Sequence, residues 1–154
     1  MTPAINAAKK GKITFTVHEY PHNPDCVAYG LEAAEKLHVP PGRIFKTLVV
    51  DAGGELVVAL VPVNAMLALK HIAKAAGSKK AVMAEATLVE RSTGYVLGGV
   101  SPLGQKKRLR TFIDATALTY PTIHVSAGRR GVEIELAPHD LARLINAKFA
   151  DLRQ

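Results

Sequence analysis

The chain has 154 residues, 48% apolar and 21% charged, the balance of one folded domain rather than of a disordered tail. Aromatic residues make up only 5% and Trp is absent, so aliphatic side chains must build most of the core. Twenty basic against thirteen acidic residues leave +7 and a sequence pI near 9.7, which favours polyanions such as nucleic acid, phosphates or an anionic membrane face without choosing among them.

Thr2-Pro3 reads as a helix start, with Thr as N-cap and Pro at the first helical position, and Gly11 as its stop. Ile13, Phe15 and Val17 alternate with polar residues, which predicts a half-buried strand that Pro21 and Pro24 end. Val27 to Leu37 has helical spacing and is broken by Pro40-Pro41-Gly42. Ile44 to Val50 and Leu56 to Val61 flank Ala52-Gly53-Gly54 and predict a hairpin of buried strands. Ala65 to Ala76 reads as a helix stopped by Gly77, Lys80 to Met83 as a short strand, and Glu85 to Arg91 as a short helix. Ser92 to Gly104, rich in Gly, Ser and Pro, reads as a long loop. Arg110–Ile113, Thr122–Val125 and Gly131–Leu136 are strand candidates, and Pro138–Ala147 is a closing helix. Strands and helices mix without strict βαβ alternation, which predicts an α+β domain with a mixed sheet. No repeat or linker divides it, so one domain over residues 1–154 is expected.

The lone cysteine, Cys26, excludes an intramolecular disulfide framework and a cysteine-only zinc site, and suits a reducing compartment. Cys26 stands near the start of the Val27 helix, where it reads as a small residue rather than as a reactive thiol. The first residues lack the apolar region of a signal peptide. Leu56 to Leu69, the most apolar stretch, is too short to span a bilayer and holds Pro62 and Asn64. A cytoplasmic protein without membrane contact is expected. No GxGxxG or GxxxxGK[ST] loop supports a nucleotide cofactor.

His18-Glu19-Tyr20-Pro21-His22 matches the zinc-protease pattern HExxH, but that pattern works only on a helix. The preceding alternation and Pro21 argue for a strand end instead. Ser101 lacks the second glycine of a GxSxG elbow. His124 and Ser126 share a strand face, yet no Asp in the segment orients the imidazole. Glu133 shares a face with Glu135, which by alternation suits solvent. Lys46 falls on an aliphatic face with Ile44, Leu48 and Val50, so its ammonium either snorkels out or meets an anion. Lys106-Lys107-Arg108-Leu109-Arg110 and Arg129-Arg130 follow glycine-rich segments that can aim N–H groups at an anion, so both are candidates for polyanion contact.

Several segments resemble the YbaK type of aminoacyl-tRNA deacylase. They are Arg91-Ser92-Thr93-Gly94-Tyr95, Gly98 through Lys107, Phe45-Lys46-Thr47-Leu48, Val125 through Gly131, and the ending from Asp140 to Asp151. The likeness covers essentially the whole chain and is most specific in the Gly98–Lys107 loop. It implies a barrel-like mixed sheet flanked by helices, with no metal or organic cofactor. It implies removal of cysteine wrongly attached to the proline tRNA, with prolyl-tRNA synthetase as a partner. Relatives that clear alanine with a water nucleophile, and a non-catalytic module that binds tRNA or a synthetase, are the alternatives.

The resemblance puts the essential lysine at Lys46, holding the terminal adenosine or a nearby phosphate. It puts oxyanion-binding N–H groups around Gly99, Val100 and Ser101. Tyr20, Tyr29, Thr47, Gly98, Pro102, Ser126, Gly128 and Glu133 become substrate contacts. Lys106, Lys107, Arg108, Arg129 and Arg130 become tRNA contacts. Relatives often carry Gly at the position of Ala127 and Asp at that of Glu133. The mechanism it suggests uses the thiol of the bound cysteine as nucleophile.

Overall fold

The computed structural model describes residues 1–154. Helix α1 (Pro3–Lys10) begins as expected, with the Ile5 N–H donating to Thr2 Oγ1 at 3.2 Å and Pro3 in the first turn. Gly11 ends it with an ordinary φ of −73°. What demands glycine there is Leu144, whose Cδ2 lies 2.3 Å from where a Cβ would stand. Then come β1 (Phe15–Glu19), α2 (Tyr29–Leu37), β2 (Ile44–Ala52) and β3 (Glu55–Pro62). They are followed by α3 (Leu69–Ala76), β4 (Ala81–Met83) and α4 (Ala86–Thr93). The chain closes with β5 (Arg110–Asp114), β6 (Ile123–Ser126), β7 (Val132–Leu136), α5 (Pro138–Ile145) and β8 (Lys148–Ala150).

Most element ends shift by one or two residues from the sequence reading, α2 starting at Tyr29 rather than Val27, and three differences have a physical cause. The helix expected from Ala65 starts only at Leu69, because the preceding backbone is engaged by the chain end. Ala68 N–H donates to the Leu152 carbonyl at 2.8 Å, and Gln154 N–H to the Met66 carbonyl at 2.9 Å. Ser92 and Thr93 finish α4 instead of opening the loop, and Thr93 Oγ1 donates to the Val89 carbonyl at 2.7 Å. Strand β8 had no counterpart, since three residues carry no readable period.

The eight strands form one mixed sheet in the order β1-β7-β6-β2-β3-β5-β8, with β4 beside β2. The pairs β2/β6, β3/β5 and β5/β8 are parallel and the others antiparallel. The path does not close, but it curls. Phe45, Leu60, Ile113, Val125 and Ile134, from five strands, meet in one cluster of 18 buried residues. Ala4 of α1, Val89 of α4 and Leu141 of α5 cap this inner face. On the outer face, α3 covers Val50, Val57 and Val61, while α2 covers Ile44 through Ala33 and Ala34. No helix is long and apolar enough to cross a membrane.

One irregularity sets up everything that follows. Strand β3 runs along one edge of β2 from Phe45 to Ala52. On the other edge, β6 pairs only with Ile44 and Phe45, and β4 only with Val50 to Ala52. Residues 46–49 therefore have no strand neighbour on that side, and only the Val49 carbonyl is met, by the Ala84 N–H at 3.1 Å. The Ile44 carbonyl accepts from Val63 N–H at 2.9 Å, so even-numbered residues of β2 turn their backbone toward β3. Thr47 consequently turns its N–H and C=O into the gap.

Truncating a wholly buried inner-face side chain tests this core. Ile134→Ala should cost about 2–5 kcal/mol in urea unfolding with little change in slope, because it opens a cavity between strands that cannot move together.

Candidate active site

A cavity of about 370 Å³ opens at the gap in the sheet. Among the residues expected from the sequence, it is lined by Tyr20, Tyr29, Lys46, Thr47, Gly98, Val100, Ser126, Arg129, Arg130 and Glu133. Strand register explains the assembly. Ser126 lies opposite Glu133, and Lys46, one residue past the Phe45–Val125 pair, falls abreast of Ser126 on the same face. Lys46, Ser126 and Glu133 thus form one row across three strands.

Lys46 occupies the cleft between α2 and α3, the stretch of β2 that neither helix covers. Its ammonium makes no ion pair and no hydrogen bond within the protein, and burial pushes its pKa down from the usual lysine value. Thr47 Oγ1 and Glu133 Oε1 are buried without hydrogen-bond partners. Burial pushes the Glu133 carboxyl up to about 8, so it holds its proton at neutral pH. The Tyr20 phenol is pushed up to about 12, first by burial and then by neighbouring Glu133.

This corrects the reading that Glu133 and Glu135 face solvent. Strand β7 is an inner strand between β1 and β6, and Glu133 is only 7% exposed. Glu135, two residues on, has the opposite environment. It accepts from the Thr122 hydroxyl, from His18 Nε2 at 2.8 Å and from Arg43 Nη2 at 3.3 Å. The Thr122 hydrogen bond leads in holding its carboxyl below the usual range, against the effect of burial. Burial, outweighing Glu135, keeps the His124 imidazole down at about 4.

His18, His124 and Glu135 offer ligand atoms within 4.8 Å of one another, the one such group in the chain. Arg43 and Thr122 already hold the second oxygen of that carboxylate. The HExxH pair itself does not assemble. His18 lies on a strand, and His22 turns away to hydrogen-bond Glu32 at 2.6 Å.

Two glycine loops build the remaining wall. Gly98 has φ of +87°, and a Cβ there would meet Arg130 Nε at 2.5 Å and Tyr29 Cε2 at 2.7 Å. The Arg130 guanidinium lies 4.0 Å from the Tyr29 ring centre and donates to the Leu97 carbonyl at 2.9 Å. At Gly99 a Cβ would lie 2.9 Å from Arg129 Cα, so the two loops touch backbone to backbone.

Gly99, Ser101, Pro102 and Gly128 stand behind this wall rather than in it. The Gly99 N–H is taken by the Val96 carbonyl at 3.0 Å. Ser101 is fully buried, and its Oγ accepts from Leu103 N–H at 3.2 Å. Gly128 N–H donates to Ser126 Oγ at 3.1 Å. That leaves the Val100 amide, on a residue that does line the cavity, without a protein acceptor.

Lys106, Lys107 and Arg108 are elsewhere. The Lys106 and Lys107 amides bond the Thr93 and Ser92 carbonyls at the end of α4, and Arg108 borders a separate hollow with Ala7 and Ile145. Sequence reasoning missed the apolar lining residues Val27, Leu31, Leu48, Val63 and Leu97. Their one readable signal was Gly30, where a Cβ would stand 2.2 Å from Val63 Cγ1 and hold α2 away from the sheet.

The raised Glu133 pKa makes a stability prediction. The folded state holds this proton more tightly than the unfolded chain, so its contribution is complete below the ordinary carboxyl value of 4.5 and is lost as pH rises to about 8. Over that window the thermal midpoint of the native protein should fall relative to that of Glu133→Gln. The difference between the two isolates the effect, because the depressed His124 gives an opposite slope below 6.5 in both.

Comparison with known proteins identifies the family. Residues 24–144 match the family model "Aminoacyl-tRNA editing domain". The chain is 40% identical over 153 residues to "Putative Cys-tRNA(Pro)/Cys-tRNA(Cys) deacylase EbsC" of Enterococcus faecalis, covering 98% of this chain and 92% of the relative. A crystal structure described as "a putative trans-editing enzyme for prolyl tRNA synthetase" superposes with a TM-score of 0.88 at 25% identity, over 99% of this chain and 95% of the other. The hypothetical protein APE2540 superposes with a TM-score of 0.86 at 25% identity, over 99% of both chains. With the family model spanning most of the sequence and the fold shared end to end, the chain belongs to the aminoacyl-tRNA editing domain family.

Proposed function

We propose that this protein is a trans-editing deacylase that removes cysteine from cysteinyl-tRNA(Pro), with cysteinyl-tRNA(Cys) as a second substrate. One observation carries the reading. The cavity holds an unpartnered ammonium, an unpartnered hydroxyl and a free amide, but no nucleophile paired with a base. Ser126 Oγ accepts from the Gly128 N–H, and no hydrogen bond joins it to His124, whose Nδ1 has no partner. Cys26 lies outside the cavity. This arrangement favours an attacking group that arrives with the substrate.

In this reading the cysteine thiol attacks its own ester carbonyl. The carbon–sulfur bond forms, the carbonyl oxygen takes the negative charge, and collapse expels the ribose oxygen, which ends with the thiol proton. A cyclic thiolactone leaves and the tRNA is freed. Folding the aminoacyl group into an attack pose supplies most of the acceleration, since intramolecular reactions reach large effective concentrations. The Val100 amide, with that of Ser101 behind it, would receive the oxyanion, and Lys46 the terminal adenosine or its phosphate. Tyr20, Thr47, Ser126 and Glu133 would hold the aminoacyl group, and Tyr29 and Gly98 would bound it. Serine should react poorly, because a hydroxyl is a much weaker nucleophile near neutral pH. Charged tRNA is the partner and prolyl-tRNA synthetase a second one, in the cytoplasm.

Release of cysteine from cysteinyl-tRNA(Pro) tests this with native protein and Lys46→Ala side by side. Lys46→Ala should lose at least about 100-fold in kcat/KM, near 2.7 kcal/mol of transition-state stabilisation, with an unchanged thermal midpoint. A folded, fully active variant would overturn the assignment. Cleavage of alanyl-tRNA(Pro) but not of the cysteinyl ester would replace the thiol mechanism by a water nucleophile. Binding of either tRNA without turnover would make the protein a binding module.

A further inference from the structure

A second cavity of about 630 Å³ adjoins the first and shares two of its walls, Lys46 and Leu48. It lies between β2 and the start of α3. Met66, Leu69 and Met83 line it and are 65%, 38% and 50% exposed, an apolar surface left in water. Lys70 and His71 flank it, and no Asp or Glu side chain lines it. Neither Lys46 nor Lys70 forms an ion pair with any acidic residue.

The opposite way out of the active site is different. Its hollow contains Glu19, which lies 3.8 Å from Arg129, and Arg130 is engaged by Tyr29 and the Leu97 carbonyl. On that side Arg130 is held within the protein and Arg129 stands beside an acid.

Resting on the deacylase reading, the geometry points to the Lys46–Lys70 groove as the seat of the two cytidine nucleotides that precede the terminal adenosine. The chemistry and the order of the two cavities agree. An aminoacyl ester sits on the last ribose, so the first phosphodiester lies one sugar away, which is where Lys46 joins the two cavities. A single strand is bound by cations along its backbone and by flat or soft apolar surfaces under its bases, and the groove supplies both. The sulfur-bearing side chains of Met66 and Met83 adapt to a base face without demanding a particular one. The groove would then distinguish a single-stranded CCA end from a free aminoacyl nucleoside while contributing nothing to the bond that breaks.

The test compares two substrates, cysteinyl-tRNA(Pro) and 3′-cysteinyl adenosine, which lacks the cytidines and their phosphates. Lys70 and Met66 are exposed, so Lys70→Glu and Met66→Asp should fold normally. Each should raise KM for the tRNA about tenfold, and Lys70→Glu should lower the salt dependence by about one counterion. Neither should alter cleavage of 3′-cysteinyl adenosine. Lys10→Glu, on α1, controls for net charge and should change neither substrate. Equal effects on both substrates, or none on the tRNA, would overturn the groove. So would an effect that appears only with prolyl-tRNA synthetase present, since the groove would then dock protein. If native protein cleaves neither substrate, the deacylase reading fails by itself. Fluorescence anisotropy with an uncharged oligonucleotide ending in CCA then decides the groove, with tenfold weaker binding by Lys70→Glu expected and equal binding overturning it.

Discussion

The interrupted edge of β2 is the constraint on which the rest depends. A strand buried on both sides normally spends every N–H and C=O on its neighbours. Here β6 leaves β2 after Phe45, and β4 joins it only at Val50. Four residues between them, Lys46 to Val49, keep a sheet partner on one side only. The strand cannot collapse into the opening, because β3 holds it in register from Phe45 to Ala52. The result is a rigid slot through the sheet, with Lys46 on one face, Thr47 in the breach and Val100 beyond it.

The slot is held open at a thermodynamic cost. An unpaired buried hydroxyl or carboxyl loses about 1–3 kcal/mol of hydration that nothing in the fold returns. Thr47 and Glu133 both carry that cost, and Lys46 shows it as a weakened hold on its proton. The same face of the sheet carries a second polar cluster, in which only His124 Nδ1 is left without a partner. Glu135 is surrounded by His18, Thr122 and Arg43 and stays ionised, while Glu133 stays protonated. Two glutamates on one strand are separated in ionisation by burial at one and hydrogen-bond partners at the other. The Glu135 cluster ties β1 to β7, and so fixes the strand that carries Glu133.

The loops complete the slot by close approach rather than by chemistry. Gly98 admits the stacked Tyr29 and Arg130, and Gly99 admits the backbone of Arg129. Ser101, which carries the most conspicuous hydroxyl in that loop, is turned inward to fix the turn at Leu103. Ser101 thus serves as scaffolding here, while Val100, which lines the cavity, keeps an amide without a protein acceptor.

Much of this was legible in order along the chain. Period-two alternation located most of the strands, and Thr2-Pro3, Gly77 and Pro138 marked helix ends where they occur, because these signals are local and act on the residue that carries them. Lys46 stood out by the same rule, as a charge on an aliphatic face. The motif likeness led to the family that the family model and EbsC bear out. Alternation failed at Glu133, since it reports which residues share a face and not what covers that face. It also gave no hint that Lys106 to Arg108 sit away from the cavity while Arg129 and Arg130 border it. By itself, then, the sequence determined the elements, the outlying lysine and the kinship, all properties of neighbouring residues or of aligned motifs. Tertiary structure alone decided where β6 parts from β2, which glutamate is left unpaired and which cations remain free, because each depends on contacts between segments up to a hundred residues apart, a separation at which no local spacing carries information.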